Sequence, residues 1–263
     1  MCVGACLTIQ AGLGPPAHAA QPTSPTARDL VAQIQRADYE GDRAALGRLR
    51  EVLSPFVNDP AIASRVRYWR GFAMWRRALN GFNDRVVSAE LEQDLTACVA
   101  EFRAALTAAP GWVEAKIGAA SCLVNQSFLR MTRGDATARD LFAESASLLN
   151  EVRDAAPDNP RFLWVYGANQ WYAPAERGGG QDTAIATYER GLASARRQTG
   201  SAPDPLEPTW GEPELLMNLA FAHFNRSTPN RETAERFARQ ALDRVPYWHY
   251  VRDILLPQIA PSK

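Results

Sequence analysis

The sequence lacks any charge imbalance: Lys+Arg and Asp+Glu are both 29, so the formal net charge is zero. A general nucleic-acid binder gains affinity by neutralising phosphates, and a polybasic surface protein by its cationic face, so both classes are disfavoured. Near-zero charge gives little electrostatic protection against association, which favours a bound partner or self-association. Histidine is scarce, with three in the chain, and cysteine numbers four. No Cys or His sits in a close cluster, so neither a metal nor a cofactor is implied. Runs of alternating β-branched residues are missing, which removes the signal for strands. Beyond the N-terminal region no stretch approaches the roughly 18 apolar residues needed to cross a bilayer. There is no Gly-x-Ser-x-Gly elbow and no His-Glu-x-x-His pair, so the chain reads as a non-enzyme.

The first charged side chain is Arg28, and residues 1–27 are mostly small and apolar. Met1–Gly14 reads as the apolar core of an export signal, and Ala17-His18-Ala19 as a small-residue cleavage site before Ala20. A basic segment ahead of the apolar core is missing. Val3-Gly4-Ala5-Cys6 also faintly resembles a lipobox. The reading is a signal over 1–19, a linker over 20–27, one helical domain over 28–257 and a tail over 258–263. It predicts a periplasmic or secreted protein, with a lipoprotein as the alternative. Only Cys98 and Cys122 remain after such a cleavage. They read as small buried helix residues, with a disulfide as the alternative in an oxidising compartment.

What is present is helical periodicity, punctuated by proline and glycine. Amphipathic stretches cover Arg28–Tyr39, Asp42–Leu53, Ala61–Leu79, Ser88–Ala108, Val113–Met131, Ala136–Ala155, Arg161–Tyr172, Gln181–Arg197, Pro213–Asn225, Arg231–Arg244 and Tyr247–Leu256. Pro60, Pro110, Pro157, Pro160, Pro213 and Pro246 stand near their boundaries, where first turns tolerate a missing N–H. Short loops between them predict antiparallel hairpins.

Three segments superpose in sequence: Cys98–Pro110, Ala234–Pro246 and Ala184–Leu192. In each, a small residue is followed four later by Phe102, Ala238 or Tyr188. Three further on comes Ala105, Ala241 or Gly191, and then Leu. Small residues let the second helix of a hairpin approach the first, and the larger ones fill the space towards the next hairpin. The preceding helices carry Leu163-x-x-Tyr166-Gly167 and Leu216-x-x-Leu219-Ala220, with Tyr68–Trp75 as a looser version. Over roughly residues 60–257 these features resemble a tetratricopeptide repeat protein with irregular spacing. The resemblance implies an all-α, right-handed superhelix of about five antiparallel hairpins with a C-terminal capping helix. It also implies protein or peptide binding as a scaffold. Pro174, followed by Gly178-Gly179-Gly180 and Gln181, resembles a turn of bacterial exported repeat proteins. It also resembles, more weakly, the T-component of tripartite periplasmic transporters.

Gly178–Gly180 is not a phosphate loop, because Gln181-Asp182-Thr183 follows where Lys-Ser/Thr is needed. His223 reads as a packing residue of an apolar helix, and His249 as part of the aromatic start of the last helix. Aromatic content is the more suggestive signal. Trp164 and Trp171 are seven apart and share a helix face. The repeat register puts that face on the concave side, with Asn125, Met217, Phe221 and Phe224 beside it, and Arg70, Trp75 and Arg77 near it. A groove of these residues predicts a site for a protein or peptide partner. A small-molecule ligand of a periplasmic or transporter-accessory protein is the alternative, and a compact array with the aromatics filling its inside is the plain one. The proline-rich segment Gln198–Pro213 is either a lid on the concave face or a solvated connector.

Overall fold

The computed structural model describes residues 25–198 and 204–260. The expected signal, most of the linker, the last three residues, Cys2, Cys6, Gly200 and Pro203 lie outside the described residues. Among those described the regular structure is entirely helical. Helix α1 (Ala27–Glu40) starts at a capping box, where Thr26 and Asp29 serve each other's backbone N–H, and stops at Gly41 with φ 73°. Next come α2 (Arg43–Val52), capped by Asp42, and a 3-10 turn, Ser54–Asn58. They lead to α3 (Ala63–Asn83), α4 (Ser88–Ala108), α5 (Val113–Met131) and α6 (Ala138–Ala155). Helix α7 (Pro160–Tyr172) opens with Asn159 accepting from the N–H of Arg161 and Phe162. Then follow α8 (Gln181–Gln198), α9 (Glu212–Asn225) and α10 (Arg231–Arg244).

The final segment departs from the expected single helix over 247–256. Tyr250–Leu255 forms a wide π-helical turn that runs into α11 (Leu256–Ile259). Pro257 has no N–H to give the carbonyl four residues back, and a widened turn accommodates that loss.

Successive helices pair as α1/α2, α3/α4, α5/α6, α7/α8 and α9/α10. Each even helix also packs on the next odd one, and odd helices pack on odd. This is an all-α helical repeat. The aligned residues explain it. Phe102 of α4 is fully buried and lies against Gly71 of α3 and Gly118 of α5. A Cβ on Gly118 would come within 2.3 Å of the Phe102 ring, so only glycine admits this approach. Tyr188 of α8 seats on Gly167 of α7 in the same way. Ala105, Ala184, Ala234, Ala238 and Ala241 are all fully buried at the helix contacts. Each inserted aromatic ring contributes about 1.5–3 kcal/mol of burial.

Cys98 of α4 and Cys122 of α5 are bonded, with Cα atoms 6.4 Å apart. Of the two readings of the pair, the structure takes the disulfide over separate buried thiols. The α4–α5 contact puts both on facing sides of two hairpins, which spacing along the chain does not show.

The array curves so tightly that its ends meet. The Tyr39 ring lies 5.0 Å from that of Trp248 and 6.5 Å from that of Tyr247. The His249 ring covers Gly41, so the first hairpin is held by the last turn of the chain.

Candidate functional site: a concave mouth above an aromatic floor

Gly71, Gly118 and Gly167 take rings of the even helices, while the rings of Trp75 and Trp164, with Trp210 and the Arg76 guanidinium between them, meet on the inner, concave side of α3 and α7. That side carries Arg76 on α3. On α7 it carries Arg161, Trp164, Ala168, Trp171 and Tyr172, and on α9 Glu214, Met217 and Phe221. Its lower half is sealed and its upper half is open.

The connector before α9 makes the seal. Its described residues 206–210 lie over the lower half of the concave face as a lid and not as a solvated connector: Leu206, Pro208 and Trp210 are buried against it. Trp210 is buried, with ring centroids of Phe72, Trp75 and Trp164 each 5.6 Å away. Its Nε1 donates to Tyr68 Oη at 2.9 Å, and its carbonyl accepts from Arg161 Nη1 at 3.0 Å. Arg161 also donates twice to Glu114, at 2.7 Å each. Trp69 Nε1 donates to the Leu206 carbonyl at 2.8 Å. Burial pushes the Tyr68 hydroxyl far above its usual range, so it stays protonated.

At the centre sits Arg76. Its guanidinium carbon lies 4.7–5.3 Å from the rings of Trp210, Phe72, Trp164 and Trp75. It pairs with Glu214 at 2.8 Å and with Asp38 at 3.3 Å. Burial opposes its charge, but Asp38 and Glu214 outweigh burial and raise its pKa. Burial pushes the Asp38 carboxyl up to about 6, against the pull of Arg76. This cluster is fully enclosed, so its cation and π faces bind the protein to itself.

The expected site residues divide accordingly. Arg70 and Arg77 are corrected: they lie on the side of α3 that meets α2. Arg70 pairs with Glu101 at 2.8 Å and donates to the Arg50 carbonyl. Arg77 donates to the Arg43 carbonyl at 3.1 Å and pairs with Glu90 and Asp94. Trp75 and Trp164 are also corrected, because both are buried in the floor, the compact-array alternative. Trp171, Met217 and Phe221 are half-buried at the mouth, and the rings of Trp171 and Phe221 are 6.1 Å apart. Trp171 stands about 10 Å along α7 from Trp164. Asn125 is half-buried and its amide donates to the carbonyl of Ser121 at 2.7 Å. Phe224 is half-buried beneath the Arg231 guanidinium, 5.0 Å away.

Phe128 and Tyr172, which are 55% and 81% exposed, were missed. Phe128 follows Asn125 by three residues, and that spacing alone puts it nearby. Burial raises the pKas of Tyr188 and Tyr250, so both hydroxyls stay protonated. Arg76 was passed over between Trp75 and Arg77, and the sequence carries no sign that a guanidinium is the hub.

The remaining expectations fall as follows. Gly178–Gly180 is an inter-helix turn: the N–H of Gly179 and Gly180 donate to the carbonyls of Pro174 and Gln170. His223 stacks on Phe237 at 5.7 Å, and burial lowers its pKa. His249 meets Asp253 at 2.9 Å. Open clefts lie between α1 and α2, beside Gln33, Ala37 and Leu49, and on α10, beside Glu232 and Arg236; neither includes Trp164 or Trp171. Among the described residues no group of three His, Cys, Asp or Glu could hold a metal ion. No described helix is long and apolar enough to cross a membrane.

Fold and site together define a helical-repeat protein, closed end to end, with an apolar concave mouth. The chain matches no protein-family model and no curated protein. Among solved structures it is similar to the HusA haemophore from Porphyromonas gingivalis, at 17% identity and a TM-score of 0.57, over 80% of this chain and 100% of that one. Yeast Tom70 matches at 9% identity and a TM-score of 0.36, over 95% of this chain and 59% of that one. The likeness to HusA is one of fold.

Proposed function

We propose that the protein is a non-catalytic binding scaffold whose concave mouth receives an apolar segment of a partner protein. The observation that carries this reading is a group of large apolar side chains left open above a sealed floor. Phe128 and Tyr172 are exposed, and Trp171, Met217 and Phe221 are half-buried, with the rings of Trp171 and Phe221 6.1 Å apart. Apolar clusters of this kind mark interaction sites, and aromatic anchors supply most of the binding energy there. The charged groups of the inside are committed to one another, which leaves little for acid–base chemistry. The cell envelope is the proposed location. The signal-like N-terminus and the Cys98–Cys122 disulfide, a bond that persists in oxidising compartments, support it.

A photo-crosslinking residue at Phe128 tests the reading in cells of the source organism. One protein should be captured there, and the double variant Trp171→Ala/Phe221→Ala should lose it while keeping its helicity. Capture that survives both substitutions would place the partner elsewhere.

A second reading is a small apolar ligand, favoured by the fold shared with a protein named as a haemophore. Stacking on Trp171 and Phe221 beside Tyr172 suits a flat aromatic molecule such as haem. Titration with haem separates the readings: saturable 1:1 quenching of tryptophan fluorescence, lost in the double variant, supports the ligand. A transporter-accessory role is a form of this reading. It requires co-purification with a substrate-binding subunit.

A further inference from the structure

We infer that the closure of the array is a proton-linked latch, in which Asp38 of α1 and Glu214 of α9 compete for the single guanidinium of Arg76. The three groups come from the first, second and last hairpins, so the contact ties together parts of the chain that meet only because the array closes. Each is nine-tenths or more buried.

The two carboxylates are unequally provided for. Glu214 accepts from Arg76 Nη2 at 2.8 Å, Tyr39 Oη at 2.9 Å and the Gly211 N–H at 2.9 Å. Among the described residues the Asp38 carboxylate accepts only from Asn80 Nδ2, at 3.2 Å. Its ion pair with Arg76 Nε, at 3.3 Å, is not aligned as a hydrogen bond, and among the described residues that Nε has no hydrogen-bond acceptor. A buried carboxylate with three donors holds its charge, and one with a single neutral donor gives way first. Asp38 is therefore the group that takes the proton.

The surroundings agree. From α3 the cluster is faced by Arg76, Asn80 and the neutral Tyr68, and from α1 by Tyr39, whose hydroxyl burial keeps protonated. From α7 and α5 come Arg161 and Glu114, which neutralise each other. From the C-terminal segment, His249 lies over Gly41 with its ring on Asp253. Two guanidiniums thus face three carboxylates, and one proton on Asp38 removes the excess. The raised carboxyl of Asp38 titrates at about 6. A raised acid favours the closed form below its unfolded value, and that preference is lost as pH rises through the folded value. Closure is tighter at pH 5.5 than at pH 7.5. Glu214 lies one turn before Met217 on α9, so the latch also bears on the wall of the mouth.

Hydrogen exchange on the full chain tests this. Protection factors of the α1 amides should rise about fourfold from pH 7.5 to pH 5.5, because an acid titrating at about 6 is still only partly protonated at the lower pH. Those of α5 and α6, remote from the latch, should stay level. In Asp38→Asn the α1 protection should be independent of pH over this range. A pH response that persists in Asp38→Asn, or α1 protection that does not change in the wild type, would overturn the latch. If Asp38→Asn does not fold, infrared difference spectra of the wild type decide. A protonated buried carboxyl band that appears between pH 7.5 and 5.5 supports it, and its absence refutes it.

Discussion

Trp210→Ala removes the centre of the floor. The residue is buried against three aromatic rings and lies over the Arg76 guanidinium, with its centroid 4.7 Å from Cζ. Truncation of a buried Trp costs about 3–5 kcal/mol through lost transfer energy and the cavity left behind. It also takes the donor from Tyr68 Oη and one π face from Arg76. Nothing on a neighbouring helix can swing in, because Phe72, Trp75 and Trp164 are held by their own packing. The upper half of the range, about 4–5 kcal/mol, is therefore expected, which corresponds to roughly 10 °C or more in melting temperature for a domain of this size. Urea unfolding followed by circular dichroism, with the disulfide intact, measures it. The control is Trp171→Ala, whose half-exposed ring should cost only about 1 kcal/mol while reducing partner binding. A loss below 1 kcal/mol for Trp210→Ala would mean that residues 206–210 are a loose strap and that the floor is held by the helices alone.

Further outcomes follow from other contacts. Ala105→Trp should destabilise by at least about 3 kcal/mol, because the fully buried methyl leaves no room in the hairpin; an unchanged melting temperature would show the register to be wrong. Reduction of Cys98–Cys122 should cost about 3 kcal/mol for a loop of 24 residues, read as a lower melting temperature in reductant. Glu101 is buried, but hydrogen bonds from Arg70 and Arg67 outweigh burial and hold its pKa low. Its stabilisation is present above the usual Glu pKa and is lost as pH falls through the lower folded value, from roughly pH 4 downward. Glu101→Gln should lower stability at pH 7 by about 3 kcal/mol and flatten that acid limb; an unaltered limb would assign it to other carboxylates.

Helix boundaries were legible because they are local. Val113–Met131 and Arg231–Arg244 stand as read from the apolar period and its proline and glycine punctuation. The hairpin pairing was legible too, because Phe102, Ala105, Tyr188 and Gly191 repeat at one spacing. The concave site was only partly so. Met217, Phe221 and Trp171 are half-buried on the inner side of α7 and α9. Trp164 of α7 does not lie at the mouth, because Trp210 from the distant connector covers it. Arg70, Arg77 and Trp75 do not, because helix α3 is amphipathic on no single side: nearly all of its central residues are buried. Periodicity cannot then tell the face towards α2 from the face towards the axis.

By itself the sequence determined the class of the fold, since the positions of small and aromatic residues allow one way for neighbouring helices to meet. Only the tertiary structure decided that the array closes on itself, that the proline-rich connector seals its inside with Trp210, and that Arg76 is the hub. Those contacts join residues as far apart as Tyr39 and Glu214, 175 positions along the chain. They depend on the accumulated curvature of five hairpins, a small rotation at each junction that no local spacing encodes.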